Sequence, residues 1–229
     1  MGAKTVKTHR WDLTPPEAAA LQHSLAGQVI RQNQLGAVKT VAGVDASFRD
    51  NLARGGVVIL SYPTLEVLDY AVATRPVTFP YVPGLFSFRE GPVILDAFDK
   101  LGSVPDLLIF DGQGIAHPRR LGIASHIGLL LDVPSIGCAK SRLCGQYEEP
   151  GLTRGHNVPL VDKGETIGAV VRTRTGIKPV FVSCGHRVDL ATSIKFVLNC
   201  CRGYRLPETT RWAHRVAGGA APPIPCPGD

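Results

Sequence analysis

The spacing of apolar residues divides the chain into segments with helical and strand periodicity. Leu21, Leu25 and Val29 recur every four residues, which is typical of one face of a helix. Thr14 and Glu17 precede them with the spacing of a capping box, and a proline stands at the first helical position. The pattern therefore predicts a first helix that begins just after Thr14.

Three apolar runs with strand character come next. They cover residues 41–48, 56–62 and 65–73. The connections between them are short and contain Asp-Asn or Pro-Thr pairs. Such connections indicate an antiparallel meander, because parallel strands need long crossovers.

Helices and strands then alternate. A helical stripe from Val93 to Leu101 is followed by an apolar strand that ends at Asp111. Residues 145–165 are rich in glycine, proline and charge, which indicates a loop region. The other predicted elements are a helix over 121–131, strands over 135–139, 166–172 and 180–183, and a helix over 190–201.

This order predicts an α/β fold with a mixed central sheet flanked by helices. It is compatible with a ribonuclease-H-like fold, and several other α/β folds share it. No linker separates two cores, so residues 1–216 are expected to form one domain. Residues 217–229 are rich in glycine and proline and are expected to form a disordered tail.

Charge and cysteine content narrow the function. Lys and Arg outnumber Asp and Glu by 25 to 19, and the net charge of +6 favours a polyanionic partner such as nucleic acid. The six cysteines form no C-x-x-C pair, so they predict no thiolate metal site. No apolar run is long enough to span a membrane and the N-terminus lacks a signal-peptide core, so a reduced, cytoplasmic protein without a membrane partner is expected.

Three acids are candidates for metal chemistry. Asp45 lies within an apolar strand, where a buried carboxylate is costly unless it is paired or metal-bound; the alternative is a solvated face shared with Ser47. Glu90 stands at the start of a helix, where capping-box spacing from Ser87 is the alternative explanation. Asp111 closes a strand just before Gly-x-Gly, where ligands bind in open α/β sheets, and an Asp-Gly turn is the alternative.

Together the three carboxylates would suit Mg²⁺. Two such ions can stabilise the attacking water and the leaving oxygen of a phosphodiester. That chemistry needs a cationic surround. The candidate cations are Arg119, Arg120, Lys140, Arg142, Arg187 and Arg205.

The acids belong to longer stretches that closely resemble the endonuclease V family of deoxyinosine-specific DNA repair nucleases. The stretches read VAGVDASF, RPVTFPYVPGLFSFREGP, DLLIFDGQGIAHPRRLG and GYRLPETTRWAH, and the similarity extends from about residue 28 to 216. The resemblance implies a ribonuclease-H-like fold and Mg²⁺-dependent nicking at the second phosphodiester bond 3′ to the deaminated base. The expected partner is DNA that contains deaminated bases.

The resemblance also implies roles for individual residues. Asp45 and Asp111 would hold Mg²⁺, with Mn²⁺ able to substitute, and Glu90 would complete the catalytic cluster. His214 stands where some members have an acid, and it would be a weaker Mg²⁺ ligand or a proton relay. Lys140 would neutralise charge that develops on the phosphate.

The PYVP segment resembles the family's strand-separating wedge. Its prolines stiffen the loop, and Tyr81 would stack where a base has left the helix. The alternative is an ordinary proline-rich surface turn. The wedge residues are Pro80, Tyr81, Val82 and Pro83.

The backbone at three glycines and one leucine resembles the family's pocket for the extruded hypoxanthine, and one isoleucine side chain would help to line it. The pocket residues implied are Gly84, Leu85, Gly112, Gly114 and Ile123. His117 is expected either to contact DNA or to cap the following helix. His126 is expected either to contact DNA or to be packed in the core. The other histidines are expected to be solvated: His9, His23 and His156.

Two other functions stay open. Some relatives prefer RNA, so an inosine-specific endoribonuclease acting on inosine-containing RNA is the alternative within the enzyme class. A lesion-binding protein without catalysis is the alternative outside it, although clustered acids beside a phosphate give a pure binder no advantage.

Overall fold

The computed structural model describes residues 8–222. Cys226 and most of the predicted tail lie outside these residues. The strands are β1 (Thr40–Arg49), β2 (Leu52–Ser61), β3 (Val67–Pro76), β4 (Leu107–Phe110), β5 (Ser135–Ala139), β6 (Asn157–Asp162), β7 (Glu165–Val171) and β8 (Val180–His186). The helices are α1 (Pro15–Ala26), α2 (Phe86–Phe98), α3 (Ile123–Leu131), α4 (Leu190–Asn199) and α5 (Glu208–Ala217).

The strands form one mixed sheet in the order β3-β2-β1-β4-β5-β8-β7-β6. The predicted meander is confirmed, since β1 to β3 pair antiparallel in sequence order. β1, β4 and β5 run parallel, with Val44 opposite Phe110. Asp45 and Asp111 each follow one of these two paired residues, so the parallel pairing brings both acids to the same edge of the sheet.

Helices cover both faces of the sheet. On one face α2 and α3 bury Ile94 and Ile127 against Val44 and Phe110. On the other face Val197 of α4 and Val216 of α5 join a second core cluster. The sheet is therefore buried on both sides, which explains why its central strands are continuous apolar runs.

The last helix lies directly on the backbone of β1. A Cβ atom at Gly43 would stand 1.8 Å from the carbonyl oxygen of Thr209 in α5. Only glycine leaves room for this approach. The contact holds α5 beside the carboxyl end of β1.

Three expectations about the elements were wrong. Residues 145–165 contain β6, which pairs antiparallel with β7, although Pro159 interrupts its strand signal. α1 ends at Ala26, so Val29 packs beyond the helix. α5 reaches Ala217, which places the first residue of the predicted tail inside a helix.

The predicted start of α1 is confirmed. The Glu17 carboxylate accepts hydrogen bonds from the Thr14 backbone N–H at 2.8 Å and hydroxyl at 2.6 Å. None of the helices within residues 8–222 is long and apolar enough to cross a membrane. The cysteines of that region are free thiols: Cys138, Cys144, Cys184, Cys200 and Cys201.

Candidate active site at the carboxyl ends of β1 and β4

The Asp45 side chain points from β1 toward α5 and forms a hydrogen bond with His214. Its Oδ2 lies 2.9 Å from His214 Nδ1, and only 13% of its side chain is exposed. The Ser47 hydroxyl, two residues along the same face, donates to the carbonyl oxygen of Ala217 at 2.6 Å. The solvated face considered as an alternative for Asp45 is therefore wrong, because α5 covers it.

Asp111 extends the parallel pairing of β4 with β1. Its backbone N–H donates to the carbonyl oxygen of Val44 at 3.2 Å. Its side chain is 10% exposed and forms an ion pair with Lys140, which directly follows β5. Two adjacent parallel strands thus deliver an acid and a cation to one point.

Glu90 is the fifth residue of α2 and points to the same place. The helix begins at Phe86 with no side-chain cap, and the Ser87 hydroxyl bonds His126 Nδ1 at 2.9 Å. The capping-box explanation for Glu90 is therefore wrong. No residue among 8–222 donates a hydrogen bond to the Glu90 carboxyl group.

The electrostatics confirm that the three acids act on one another. Burial, reinforced by the charges of Asp45 and Asp111, raises the pKa of Glu90 to about 8. Burial and the Asp111 charge likewise raise the pKa of Asp45 above its ordinary value. Carboxylates that repel one another in a half-buried site favour the binding of a cation.

The oxygen donors fit Mg²⁺ by charge and by chemistry. They are not closed into a ready-made ligand shell: within residues 8–222 no three His, Cys, Asp or Glu side chains converge on one ion position. Asp111 faces Lys140 and Asp45 faces His214. A bound cation would therefore compete with two internal partners.

A cavity of about 290 Å³ opens beside the acids. Glu90, Asp111 and Lys140 form one wall, together with Gly112 and Ile123. Other residues that line it are Gln22, Gly84, Phe86, Ser87, Gln113, His117, Gly122, Ala139, Ser141, Arg142 and Leu143. Leu85 and Gly114, which were expected to border the pocket, are buried outside its wall.

Gly84 is fixed from three directions. Its carbonyl oxygen accepts from His117 Nε2 at 2.8 Å, from an Arg119 guanidinium nitrogen at 2.8 Å and from Gln22 Nε2 at 3.1 Å. Its φ of +78° lies in the left-handed region that favours glycine. The turn between the PYVP segment and α2 is therefore held rigidly at the mouth of the cavity.

A family comparison decides what this arrangement belongs to. The family model of endonuclease V matches residues 23–215. The chain belongs to the endonuclease V family. Its acids, its PYVPG turn and its DGQG turn all lie within the matched region.

Individual members of the family match the chain in sequence and in structure. Endonuclease V of Nostoc punctiforme is 52% identical over 217 residues, which cover 93% of this chain and 98% of that protein. The crystal structure of endonuclease V from Streptomyces avermitilis is 43% identical, with a TM-score of 0.87 over 94% of this chain and 96% of that chain. The expected family, nuclease class and ribonuclease-H-like fold are thereby confirmed.

A further relative was solved with a nucleic acid. Endonuclease V of Ciona intestinalis, in complex with DNA containing an inosine followed by a ribo-adenosine, is 27% identical with a TM-score of 0.77. The match covers 89% of this chain and 95% of that chain.

In this chain the PYVP segment projects an aromatic ring, and the residues on either side of the segment are anchored to the fold. Tyr81 is 68% exposed, and its ring centroid lies 5.2 Å from that of Phe86. The preceding Phe79 is buried, and its carbonyl oxygen accepts from Arg89 of α2 at 2.7 Å. The Tyr81 ring is therefore exposed on a segment that is anchored at both sides, by Phe79 and by Phe86.

His117 is buried and uses both ring nitrogens internally. Nδ1 accepts from the Arg119 backbone N–H at 3.1 Å, so Nε2 carries the proton donated to Gly84. Burial lowers the pKa of His117 to about 4. The DNA contact predicted for this residue has no free ring nitrogen to use, and its observed role is to hold Gly84.

His9 is half-buried rather than solvated, and it extends a chain of hydrogen bonds from Ser87. His9 Nδ1 donates to the Arg10 carbonyl oxygen at 2.6 Å, which leaves His9 Nε2 to accept from His126 Nε2 at 2.7 Å. His126 Nδ1 then accepts from the Ser87 hydroxyl. The chain fastens the N-terminal segment to α2 and α3.

Most of the six cations that were expected to surround the acids are instead paired with carboxylates or backbone carbonyl oxygens of the chain. Arg120 pairs with Asp162 and Glu165, and Arg187 pairs with Asp132. Arg119 and Arg205 donate to backbone carbonyl oxygens. Lys140 and Arg142 alone of the six border the cavity within the described region.

Sequence reasoning missed Gln22 and Gln113 as site residues. Gln22 reaches Gly84 across 62 positions of sequence, so no local pattern marks it. Gln113 does stand inside the DGQG motif, where it could have been noticed. Its Nε2 donates to the Ser141 carbonyl oxygen at 2.9 Å and ties the segment after Lys140 to the cavity.

Proposed function

We propose that this protein nicks DNA beside a deaminated base, chiefly deoxyinosine, at the second phosphodiester bond on the 3′ side. The observation that carries the proposal is the cavity that shares Glu90, Asp111 and Lys140 with the acid cluster. A base held there would leave its own strand crossing the acids. The Ciona relative in complex with inosine-containing DNA supports the same substrate class.

Asp45 and Asp111 would hold Mg²⁺, with Glu90 as a further ligand and Mn²⁺ as a substitute. His214 would serve either as a weaker metal ligand or as a proton relay, because its Nδ1 already bonds Asp45 and only Nε2 is left. When bound, the metal would activate water and stabilise charge on the phosphate. Lys140 would bring a positive charge against a non-bridging phosphate oxygen, which lowers the cost of charge that develops there. No covalent enzyme intermediate is required.

His214 is set to move a proton. Its Nδ1–H donates to Asp45, so its Nε2 lone pair faces away from that carboxylate. The side chain is largely exposed at the open edge of the site. A neutral imidazole in this tautomer can accept a proton from water as the phosphate is attacked.

Recognition would begin with a base leaving the duplex. Inosine pairs more weakly than the original A·T pair, so its extrusion costs less free energy. Tyr81 would stack in the gap, and the rigid Gly84 turn would let backbone approach the flipped base. This role also accounts for the anchoring of the PYVP segment by Arg89.

A paired cleavage assay tests the proposal. Inosine-containing DNA, inosine-containing RNA and undamaged DNA of one sequence would be incubated with Mg²⁺ and with EDTA. We expect a metal-dependent nick in the inosine DNA alone. Cleavage confined to RNA would show that the substrate is inosine-containing RNA. Tight binding without a nick under Mg²⁺ or Mn²⁺ would show that the protein binds the lesion without catalysis.

The proposal also covers the domain organisation and the cellular compartment of the protein. Residues 1–216 would act as one catalytic domain, and the free thiols suit a reducing cytoplasm.

A further inference from the structure

Arg54 of β2 stands apart from the other arginines that are buried or half-buried. Among residues 8–222 it donates no hydrogen bond and forms no ion pair, and its Nε is buried without an acceptor. Every other buried or half-buried arginine of that region donates to a carboxylate or an oxygen acceptor: Arg31, Arg75, Arg89, Arg119, Arg120, Arg172, Arg187, Arg205 and Arg211.

A buried donor on a charged group destabilises a fold when it has no acceptor. The Nε atoms of Arg187 and Arg205 are also buried without an acceptor, but the other nitrogens of those two residues are paired. The whole Arg54 guanidinium is therefore available to a partner from outside the chain. The surroundings of Arg54 determine which kind of partner could bind it.

The sheet places Arg54 close to the acid cluster. It pairs with Ser47 of β1, while Asp45, two residues earlier in β1, pairs with Gly56. Arg54 and Asp45 are thus diagonal neighbours on the face that α5 covers, a relationship that typically separates two residues by about 7–8 Å. The other cross-strand neighbour of Arg54 is Thr74 of β3, which carries no charge.

Arg54 does not serve Asp45 as a counterion. Asp45 takes its hydrogen bonds from His214 and from the Ala46 backbone, and no charge from Arg54 contributes to its pKa. The positive charge therefore stays available beside a site built for a phosphodiester.

The strand order supplies a direction. β4, β1 and β2 are consecutive, and they carry Asp111, Asp45 and Arg54 in that order. The base cavity borders Asp111 but neither Asp45 nor Arg54. A strand that leaves the cavity and crosses the acids would next meet Arg54.

We infer that Arg54 binds a backbone phosphate of the substrate strand, on the far side of the acid cluster from the base cavity. A guanidinium suits this position because its planar donors match two phosphate oxygens. The inference rests on the proposed function, and it adds a contact that reads the backbone and carries no information about the base.

The test compares two glutamine variants of the same sheet. Arg54→Gln removes the unpaired arginine, and Arg75→Gln removes a half-buried arginine of β3 that pairs with Asp96 of α2 on the opposite face. Binding of inosine-containing and undamaged duplexes would be measured without added metal over a range of salt concentrations. Arg54→Lys, which keeps the charge, is the third variant.

For Arg54→Gln the slope of log affinity against log salt should fall by about one, as expected for one lost phosphate contact. Affinity for both duplexes should weaken by the same factor. Arg75→Gln should keep the wild-type slope, and Arg54→Lys should keep most of it. The melting temperature of Arg54→Gln should equal or exceed that of wild type, because the unpaired buried donor is gone.

A wild-type slope in Arg54→Gln, or a fall in its melting temperature without a change in slope, would overturn the inference. Loss of folding in both Arg54→Gln and Arg54→Met would do the same, since it would show a structural role. Failure of the proposed function looks different: the wild-type protein itself would neither prefer nor nick inosine-containing DNA.

Discussion

His214 Nδ1 lies 2.9 Å from Asp45 Oδ2 and joins the last helix to the first strand. We expect His214→Ala to reduce the single-turnover nicking rate by about 10²- to 10⁴-fold, the range of a lost acid–base group. Quenched-flow measurement on an inosine-containing duplex gives the rate. His23→Ala, which removes an exposed histidine of α1, is the matched control, and equal rates in the two variants would exclude a role for His214 in proton transfer.

Asp111→Asn should abolish nicking and should leave most affinity for the lesion, and Asp45→Ala should do the same. Asp111→Asn should also lower the pKa of Glu90 from about 8, because one of the charges that raise it is removed. Nicking assays and a ¹³C titration of the glutamate carboxyl check the two effects. Asp162→Asn, whose acid pairs with Arg120, is the control, and substantial Mg²⁺-dependent nicking by Asp111→Asn would contradict the assignment.

Tyr81→Ala should weaken the preference for inosine over undamaged DNA, because the exposed ring would no longer stack where the base has left. A lost base–aromatic stack is worth about 1–3 kcal/mol. Competition binding with paired duplexes measures the ratio. Tyr204→Ala removes another exposed tyrosine and should leave the ratio unchanged; the same ratio in Tyr81→Ala and wild type would reject the wedge.

Gly84→Ala should cost stability and lesion affinity together. The φ of +78° strains any side chain, at about 1–2 kcal/mol, and a Cβ would stand 3.0 Å from the Arg119 guanidinium. Gly176→Ala shares the strain, with φ +73°, but its Cβ meets open space. Urea unfolding should give similar losses for both variants, whereas inosine affinity should fall only in Gly84→Ala.

Acidification should cost stability at two buried histidines, because burial holds them neutral, whereas Glu90, whose pKa is raised to about 8, works in the opposite direction. Burial lowers the pKa of His126 to about 3 and that of His117 to about 4, from 6.5. The unfolded chain therefore binds more protons than the folded chain between each folded value and 6.5. The loss of stability begins as the pH falls below ~6.5, grows down to the folded value and is constant below it. At pH 5 each histidine should cost about 2 kcal/mol relative to neutral pH.

Urea unfolding at pH 7.5 and pH 5 tests this dependence. His126→Phe removes one titrating group and should lose less stability between the two pH values than wild type does. Parallel pH profiles would show that His126 does not contribute.

The acids could be located from the sequence because local pattern marks them. Asp111 ends a fully apolar strand and Asp45 interrupts one, so hydrophobic periodicity marks both positions, while their shared role came from the resemblance to the family. Their parallel alignment needs only the strand order. Glu90 was ambiguous, because the spacing from Ser87 fits a cap, and the structure shows that the N-cap is Leu85, two residues before Ser87.

Other parts depend on contacts that no local pattern records. Gln22 meets Gly84 across the fold, and His9 meets His126 across 117 positions. β6 escaped prediction because it contains Pro159, which an edge strand tolerates. The cationic surround was overestimated because composition counts arginines without their internal partners.

The contact between Gly43 and Thr209 has a consequence for how the enzyme comes into being. α5 packs on β1 and carries His214, which faces Asp45. The three acids, at positions 45, 90 and 111, are therefore synthesised long before this histidine. A chain that is still on the ribosome, or one cut ahead of α5, has its three carboxylates without that imidazole. The order of synthesis therefore delays assembly of the nuclease site until the final helix of the described chain docks.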